Sequence, residues 1–551
     1  LAASAAPADP SGLKRLGAPG LSAIRASALS AHVRFLSDDL LEGRFPGTRG
    51  HQLAERWVAS QMQAIGLEPA GDGGGWIQRV PLRAALKDPA RTSMVVSGGG
   101  QPEEALVLER DFVLFSDLRT AEVDVAAPLV FAGFGVVAPE HRYDDFAGVD
   151  VRGKIAVVLL TAPSSGDPRW FPPTAHAVYS DPMEKVRRLA ERGAVGVLVV
   201  FRPEDERRLA WARLAPQSRL EAMDWLEAGE PGSNVRGVPA RGLITWKAFD
   251  RILARAGVAG GTAGLMAKAE ARQLRGFDLP VAARVQLGQS FRDLSAGNVV
   301  GLLRGSDPRL AGESVVYSAH LDHQGIGEPV EGDRIYRGAM DNASGVASIL
   351  EVARAFAALP RRPSRSILFA AVTGEERGLL GADYLARHWP GPTVADVNLD
   401  MILPLHPLHD VVALGAEHST LGADALAAAG ALGLAVSPDP QPEQVLFIRS
   451  DQYRFVQRGV PSLFLGPGLE DARGETAANA ALVKAWIATR YHSPKDAWDP
   501  AYDWESMAQV ARVAFLTGLS VATRPERPRW NPGDLFERFV PPPRPAEPGT
   551  R

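Results

Sequence analysis

Apolar positions along this chain change their spacing near residue 298, and the change separates two kinds of architecture. Ahead of that point, a helix is predicted over 28–39. The run LEGRFPGTRG at 41–50 holds three glycines and a proline and reads as a loop. Leu53, Trp57, Val58, Met62 and Ile65 then fall at helical spacing, with Gly66 as the stop. Continuous apolar runs at 123–137, 154–160 and 195–201 predict buried strands, and a helix is predicted over 183–192, ended by Gly193. This β-rich block continues to about 285 without a cluster of metal-ligating residues.

From Asn298 onward, strands and helices alternate. Strands are predicted at 299–303, 314–319, 366–372, 394–399 and 461–465. Helices are predicted at 343–359, 379–388, 421–429 and 504–522. In the first of these helices Val346, Ile349, Leu350, Ala353, Phe356 and Ala357 share one face. Alternation of this kind predicts an α/β fold, a mostly parallel central sheet covered by helices on both faces. Residues 1–27, rich in Ala, Pro, Ser and Gly, read as a loose arm, and the Pro- and Arg-rich stretch after Arg524 as an extended tail.

Composition narrows the partners. At 551 residues the chain exceeds what one hydrophobic core organises, so more than one domain is expected. A net charge of −4 without a basic run argues against nucleic acid. No apolar run is long enough to span a bilayer. There are no cysteines, so any metal must be held by His, Asp or Glu. The chain begins at Leu1 with a small-residue, Pro-containing stretch, which favours an exported protein, periplasmic or secreted, whose signal has been removed.

Five short segments each set a candidate ligand where a predicted strand ends or a helix begins. His320 closes an apolar strand, with Asp322 two residues on. Asp341 stands at the mouth of a helix, where a carboxylate suits the positive dipole end. Glu375 and Glu376 follow a strand directly; one can bind metal while its neighbour handles a proton. Asp400 ends another strand, and His492 lies in a loop before the last helix. Singly, each has a plainer reading, as a helix cap, a solvated first turn or a structural histidine. Together they converge, because ligands at the carboxyl ends of strands in an α/β sheet share one crevice. Two histidines and three carboxylates, one of them shared, suffice for two N/O zinc sites.

The ordered set H-L-D, M-D-N-A-S-G, G-E-E, N-L-D-M and Y-H-S-P-K-D resembles the co-catalytic di-zinc exopeptidases, a family spanning bacterial leucyl aminopeptidases, aminopeptidases S and Y and glutamate carboxypeptidase II. The opening SDDLLEGR with PGTRG at 46–50 resembles bacterial members, and VFAGFG at 130–135 followed by Tyr143, Asp144, Asp145 and Gly153-Lys154 resembles an inserted protease-associated domain. The resemblance implies a peptidase domain at 28–115 and 290–525, an insert at 116–289, an arm at 1–27 and a tail at 526–551. It implies two zinc ions per chain, bridged by Asp341, with His320 and Asp400 on one and Glu376 and His492 on the other. Glu375 is then the general base and Asp322 orients His320. Peptides are the implied substrates, met by Arg449, Asp451, Tyr453 and Tyr491. Gln452 stands where many relatives carry His, and Phe447 where some carry an oxyanion-holding Tyr; pocket polarity is the expected target of the first change.

Aminopeptidase activity is the favoured expectation. A carboxypeptidase would recruit Arg449 or Arg377 for the substrate carboxylate. A glutaminyl cyclase-like enzyme or a non-catalytic binding protein like the transferrin receptor ectodomain would be expected to alter the ligand set. His323 either lines the pocket or supports it from behind. His406, His409 and His418 are expected at the surface or rim, and Trp76 and Trp498 as packing. Oligomeric state is not legible.

Overall fold

The computed structural model describes residues 9–541 apart from 165, 166, 168, 208, 209, 233 and 234. The chain forms two compact units, residues 1–81 with 295–551, and residues 82–294. The division therefore falls at 82 and 295, whereas the sequence reading put it at 116 and 290. The cause is two long strands, Ile77–Gly98 and Phe277–Leu303, whose apolar alternation runs on past the points where composition changes.

In the first unit the sheet runs Glu68–Pro69, the 299–303 end of Phe277–Leu303, Ser366–Val372, Ser314–His320, Thr393–Leu399, Ser462–Pro467, Asp410–Leu414 and Ala435–Ser437. The four central strands, Ser366–Val372 to Ser462–Pro467, are parallel, and the first three are buried along almost their whole length. Side chains alternate between faces. Val315, Tyr317 and Ala319 meet Val346, Leu350 and Phe356 of the helix Ser344–Ala357 and Phe515 of Trp504–Thr523. Val316 points the other way, with Leu368, Ala370, Leu385 and Phe455. The Tyr317 hydroxyl donates to the Ala514 carbonyl at 2.7 Å, which satisfies a buried phenol and fixes the last helix on the strand.

The loose-arm reading of 1–27 is corrected from residue 9 on; residues 1–8 lie outside the described residues. Pro10–Ala23 is an α-helix, capped by Asp9 through the amides of Ser11 and Gly12, with Pro at its start. It lies so close to the core that a Cβ at Gly20 would meet Phe515 Cζ at 2.4 Å and the Ala355 carbonyl at 2.7 Å. Small residues that looked like disorder are a close-packing face. The extended-tail reading of 526–551 is likewise corrected as far as 541; 542–551 lie outside the described residues. Phe536 is fully buried, and the Trp530 indole donates to the Gly459 carbonyl at 3.0 Å.

The second unit is a mixed sheet whose strands Ile155–Leu159, Gly196–Phe201 and Ala240–Thr245 pair in parallel. It also carries the helices Trp246–Arg255 and Gly261–Glu270, which the β-rich reading passed over. No helix is long and apolar enough to cross a membrane, among the described residues.

Candidate metal centre

Parallel register sets the site. His320 pairs with Val372, so both strands stop at one level and hand over to the loops that carry ligands. Glu375 and Glu376 begin a short turn after Gly374. Asp400 follows Thr393–Leu399 directly, and Asp341 sits in an irregular turn, Ala339–Ala343, that feeds the helix Ser344–Ala357.

The five predicted ligands come together. His320 Nε2 lies 3.1 Å from Asp341 Oδ1 and 3.2 Å from Asp400 Oδ1. His492 Nε2 lies 3.1 Å from Asp341 Oδ2 and 3.2 Å from Glu376 Oε2. The two oxygens of Asp341 thus face two different histidines, the arrangement a bridging carboxylate needs. Glu375 Oε2 stands 3.9 Å from His320 Nε2, near both groups but in neither.

Asp322 departs from its expected contact. The His320 Nδ1–H donates at 3.1 Å to the Asp322 backbone carbonyl, while the carboxylate is 4.0 Å from that nitrogen. The carboxylate instead accepts the backbone amides of Glu375 at 3.1 Å and Glu376 at 3.3 Å. Asp322 is a clasp between two ligand-bearing loops rather than a simple orienter of one ring.

Several supports carried no sequence signal of their own. Ser450 Oγ donates to Asp400 Oδ2 at 2.6 Å, and Gln324 Nε2 donates to Glu376 Oε2 at 2.5 Å. Asp496, in the same short motif as His492, accepts the amides of Met340 at 2.9 Å and Asp341 at 3.0 Å. Arg44, from the segment before the helix Arg49–Ile65, is fully buried and donates to the carbonyls of Leu36, Leu321 (2.8 Å), Arg337 (2.6 Å) and Gly338 (2.9 Å).

Electrostatics ask for a cation. Asp322, Asp341, Glu376, Asp400 and Asp496 are all at least nine-tenths buried as side chains, an arrangement that costs several kcal/mol per ion unless opposite charge is present. Burial opposes a proton on His320, yet Asp400, Glu375 and Asp341 overcome it and hold that imidazole well above its usual range. His492 behaves alike: against burial, Glu376 and Asp341 push it up to about 10. Burial works against ionised Glu376, but His492 and His323 bring it down to about 2. Carboxylates that grip protons on two imidazoles are equally placed to grip metal. The donors, imidazole nitrogen and carboxylate oxygen, suit zinc. His320, Asp341 and Asp400 form one cluster of potential ligands within 4.8 Å, and His323, Asp341 and Glu376 another.

Two of the four expected substrate contacts are corrected by burial. Asp451 is wholly enclosed, with neither carboxylate oxygen hydrogen-bonded among the described residues, and burial pushes it up to about 8. Tyr453 is 3% exposed. Both belong to the wall behind the ligands. Tyr491 is 38% exposed, and its ring stacks on His492 with centroids 3.8 Å apart. Arg449 is exposed, and donates to the Gln444 carbonyl at 3.2 Å. Gln452 does not tune the pocket: it is buried, accepting from Asn398 Nδ2 and donating to the Phe447 carbonyl, both at 2.8 Å. His418 is buried rather than at the rim, paired with Asp534 at 2.8 Å, and His406 is buried too; His409 is exposed.

Residues 298–517 match the model of peptidase family M28. A probable zinc metalloprotease of Pyricularia oryzae is 37% identical over 129 residues, 23% of this chain and 23% of that protein. Another, of Pyrenophora teres f. teres, is 41% identical over 108 residues, 19% of this chain and 22% of that one. The matches span less than a quarter of these curated relatives. The solved aminopeptidase from Aneurinibacillus sp. strain AM-1 superposes with a TM-score of 0.51 at 20% identity, covering 93% of this chain and 97% of that one, which shows a shared fold.

Proposed function

From the match of residues 298–517 to the model of peptidase family M28, we propose that this chain is a two-zinc aminopeptidase of that family. The observation that carries the proposal is the Asp341 carboxylate, with one oxygen 3.1 Å from His320 and the other 3.1 Å from His492. His320 and Asp400 would hold one ion, Glu376 and His492 the other, and Asp341 both. Zinc so held supplies Lewis acidity and brings the pKa of a bound water down towards about 7.

The protein's own groups supply the rest. Glu375 is the proton carrier: its carboxylate flanks His320 without joining either donor group, so it takes a proton from the attacking water and returns it to the leaving amine. Asp322 keeps that carboxylate aimed by fixing the amides of its turn.

Amino-terminal over carboxy-terminal cleavage is supported by the neighbouring cations. Arg377 is engaged with Gln324 at 2.7 Å and lies over the Phe45 ring, and Arg449 faces solvent. A substrate amine, by contrast, would meet a carboxylate-rich centre. The test pairs aminoacyl-nitroanilides with acidic C-terminal dipeptides. Wild-type protein should cleave the former, and Glu375→Gln should lose turnover by roughly 10²–10⁴-fold while keeping its zinc. Cleavage of the dipeptides alone would overturn the amino-terminal assignment, and an active Glu375→Gln the role of Glu375.

A further inference from the structure

We propose that His323 is a third imidazole ligand of this metal centre, completing the ion site of Glu376 and His492; the inference rests on the two-zinc reading above. His323 is fully buried, and neither ring nitrogen has a hydrogen-bond partner among the described residues. A buried ring with two unmet nitrogens is costly, so its surroundings must supply something the protein alone does not. Its Nδ1 lies 2.7 Å from Glu376 Oε1 and 3.9 Å from Asp341 Oδ2. The short approach lacks hydrogen-bond alignment, and Glu376 Oε1 is itself buried with no hydrogen-bond partner among the described residues. Two lone-pair atoms that close, pointing past each other, fit convergence on a shared cation.

Distances decide between a remote histidine and a ligand. Nitrogen and oxygen donors about 2.0–2.1 Å from a tetrahedral zinc stand roughly 3.3 Å from one another. The separations of His323 Nδ1 from Glu376 and Asp341, 2.7 and 3.9 Å, bracket that value, and those of His492 Nε2 from the same carboxylates, 3.2 and 3.1 Å, lie just below it. The two rings approach Glu376 from opposite oxygens, with centroids 5.7 Å apart, so both can point inward without clashing. The backbone is shaped for this ring. Gly338 has φ +59°, and a Cβ there would lie 2.5 Å from His323 Cγ.

The two ion sites then differ. One draws on Asp341, Glu376, His492 and His323, a closed set of four protein donors. The other draws on Asp341, Asp400 and His320, a set of three with a position left over, and it is the one beside Glu375. The centre is thereby divided into a holding ion and a working ion by protein ligands alone.

X-ray absorption at the zinc edge of the wild-type protein loaded with two zincs reads the imidazole number directly and needs no substitution. Three imidazoles shared between two zincs is the expected fit, and two would overturn the proposal. Zinc titration with a competing chelator supplies the second reading. Loss of an outer hydrogen-bond partner costs roughly 10–100-fold in metal affinity. His323→Ala should therefore weaken one ion by more than about 100-fold and leave the other within a few fold. His323→Gln, which keeps a hydrogen-bond donor, should not restore it; if it does, His323 is a positioning donor and the ligand assignment falls. Wild-type protein that takes up no zinc would instead refute the two-zinc reading itself.

Discussion

Asp322→Asn removes a charge from the clasp without changing its shape. In the wild type one carboxylate accepts two backbone amides, of Glu375 and Glu376, at 3.1 and 3.3 Å. Burial raises Asp322 to about 6, so it is ionised at neutral pH and both bonds are charge-assisted. An asparagine keeps one acceptor oxygen and turns an NH2 group towards the other amide, so one bond is lost and two donors face each other. A hydrogen bond to a charged group contributes about 1.5–3 kcal/mol, and an unmet buried amide costs about 1–3 kcal/mol. Because the turn also carries Glu376, much of this should appear as lost metal affinity, and 1.4 kcal/mol is a factor of about ten. The expected result is zinc binding roughly 10–100-fold weaker at the Glu376 side, together with a lower Tm for the metal-free protein. Calorimetric zinc titration and thermal melts at pH 7.5 measure both. Wild-type affinity and an unchanged Tm would show that the clasp holds nothing.

Other substitutions probe the supports independently. Arg44→Met strips a donor from four carbonyls in one step, and should destabilise the first unit by more than about 4 kcal/mol; a melt within a degree or two of wild type would contradict that. His418, where Asp534 and Glu417 outweigh burial, is held up at about 9. Its stabilisation is thus full below its unfolded value of about 6.5 and fades as pH rises through 9, so the stability gap between wild type and His418→Gln should shrink by roughly 3 kcal/mol from pH 6 to 9.5; a pH-independent gap would refute it. In the second unit, burial lowers Lys185 to about 7 while its ammonium donates to the carbonyls of Phe134, Leu159 and Thr161. The unfolded chain binds more protons between pH 7 and 10.5, so this group makes stability rise with pH there, a rise that Lys185→Met should abolish when urea melts are compared.

The ligand-bearing ends of the central strands were legible because each apolar run stops abruptly at a chemically distinctive residue. Ser314–His320 and Thr393–Leu399 are buried along almost their whole length, so the first polar group past each end has to sit in the crevice. Asp496, Ser450 and Arg44 were not legible as supports, since a side chain bound to backbone amides or carbonyls leaves no spacing to recognise. Asp451 and Tyr453 were expected to meet substrate because their segment resembles one lining the site in the family, whereas the short helix Gln452–Val456 buries both in the wall. The helix Pro10–Ala23 was hidden because Gly17 and Gly20, normally breakers, are the face that lets it approach Phe515. Asp410–Leu414 was hidden by the proline-interrupted stretch ahead of it, and Ala477–Thr489 by an apolar pattern with little burial to give it a face.

Anomalous diffraction at the zinc edge, from crystals grown with the metal, locates bound ions without reference to activity. Two peaks should flank the Asp341 carboxylate, one against His320 and Asp400, the other against Glu376 and His492. A single peak, or none among these side chains, would contradict a shared-carboxylate metal centre.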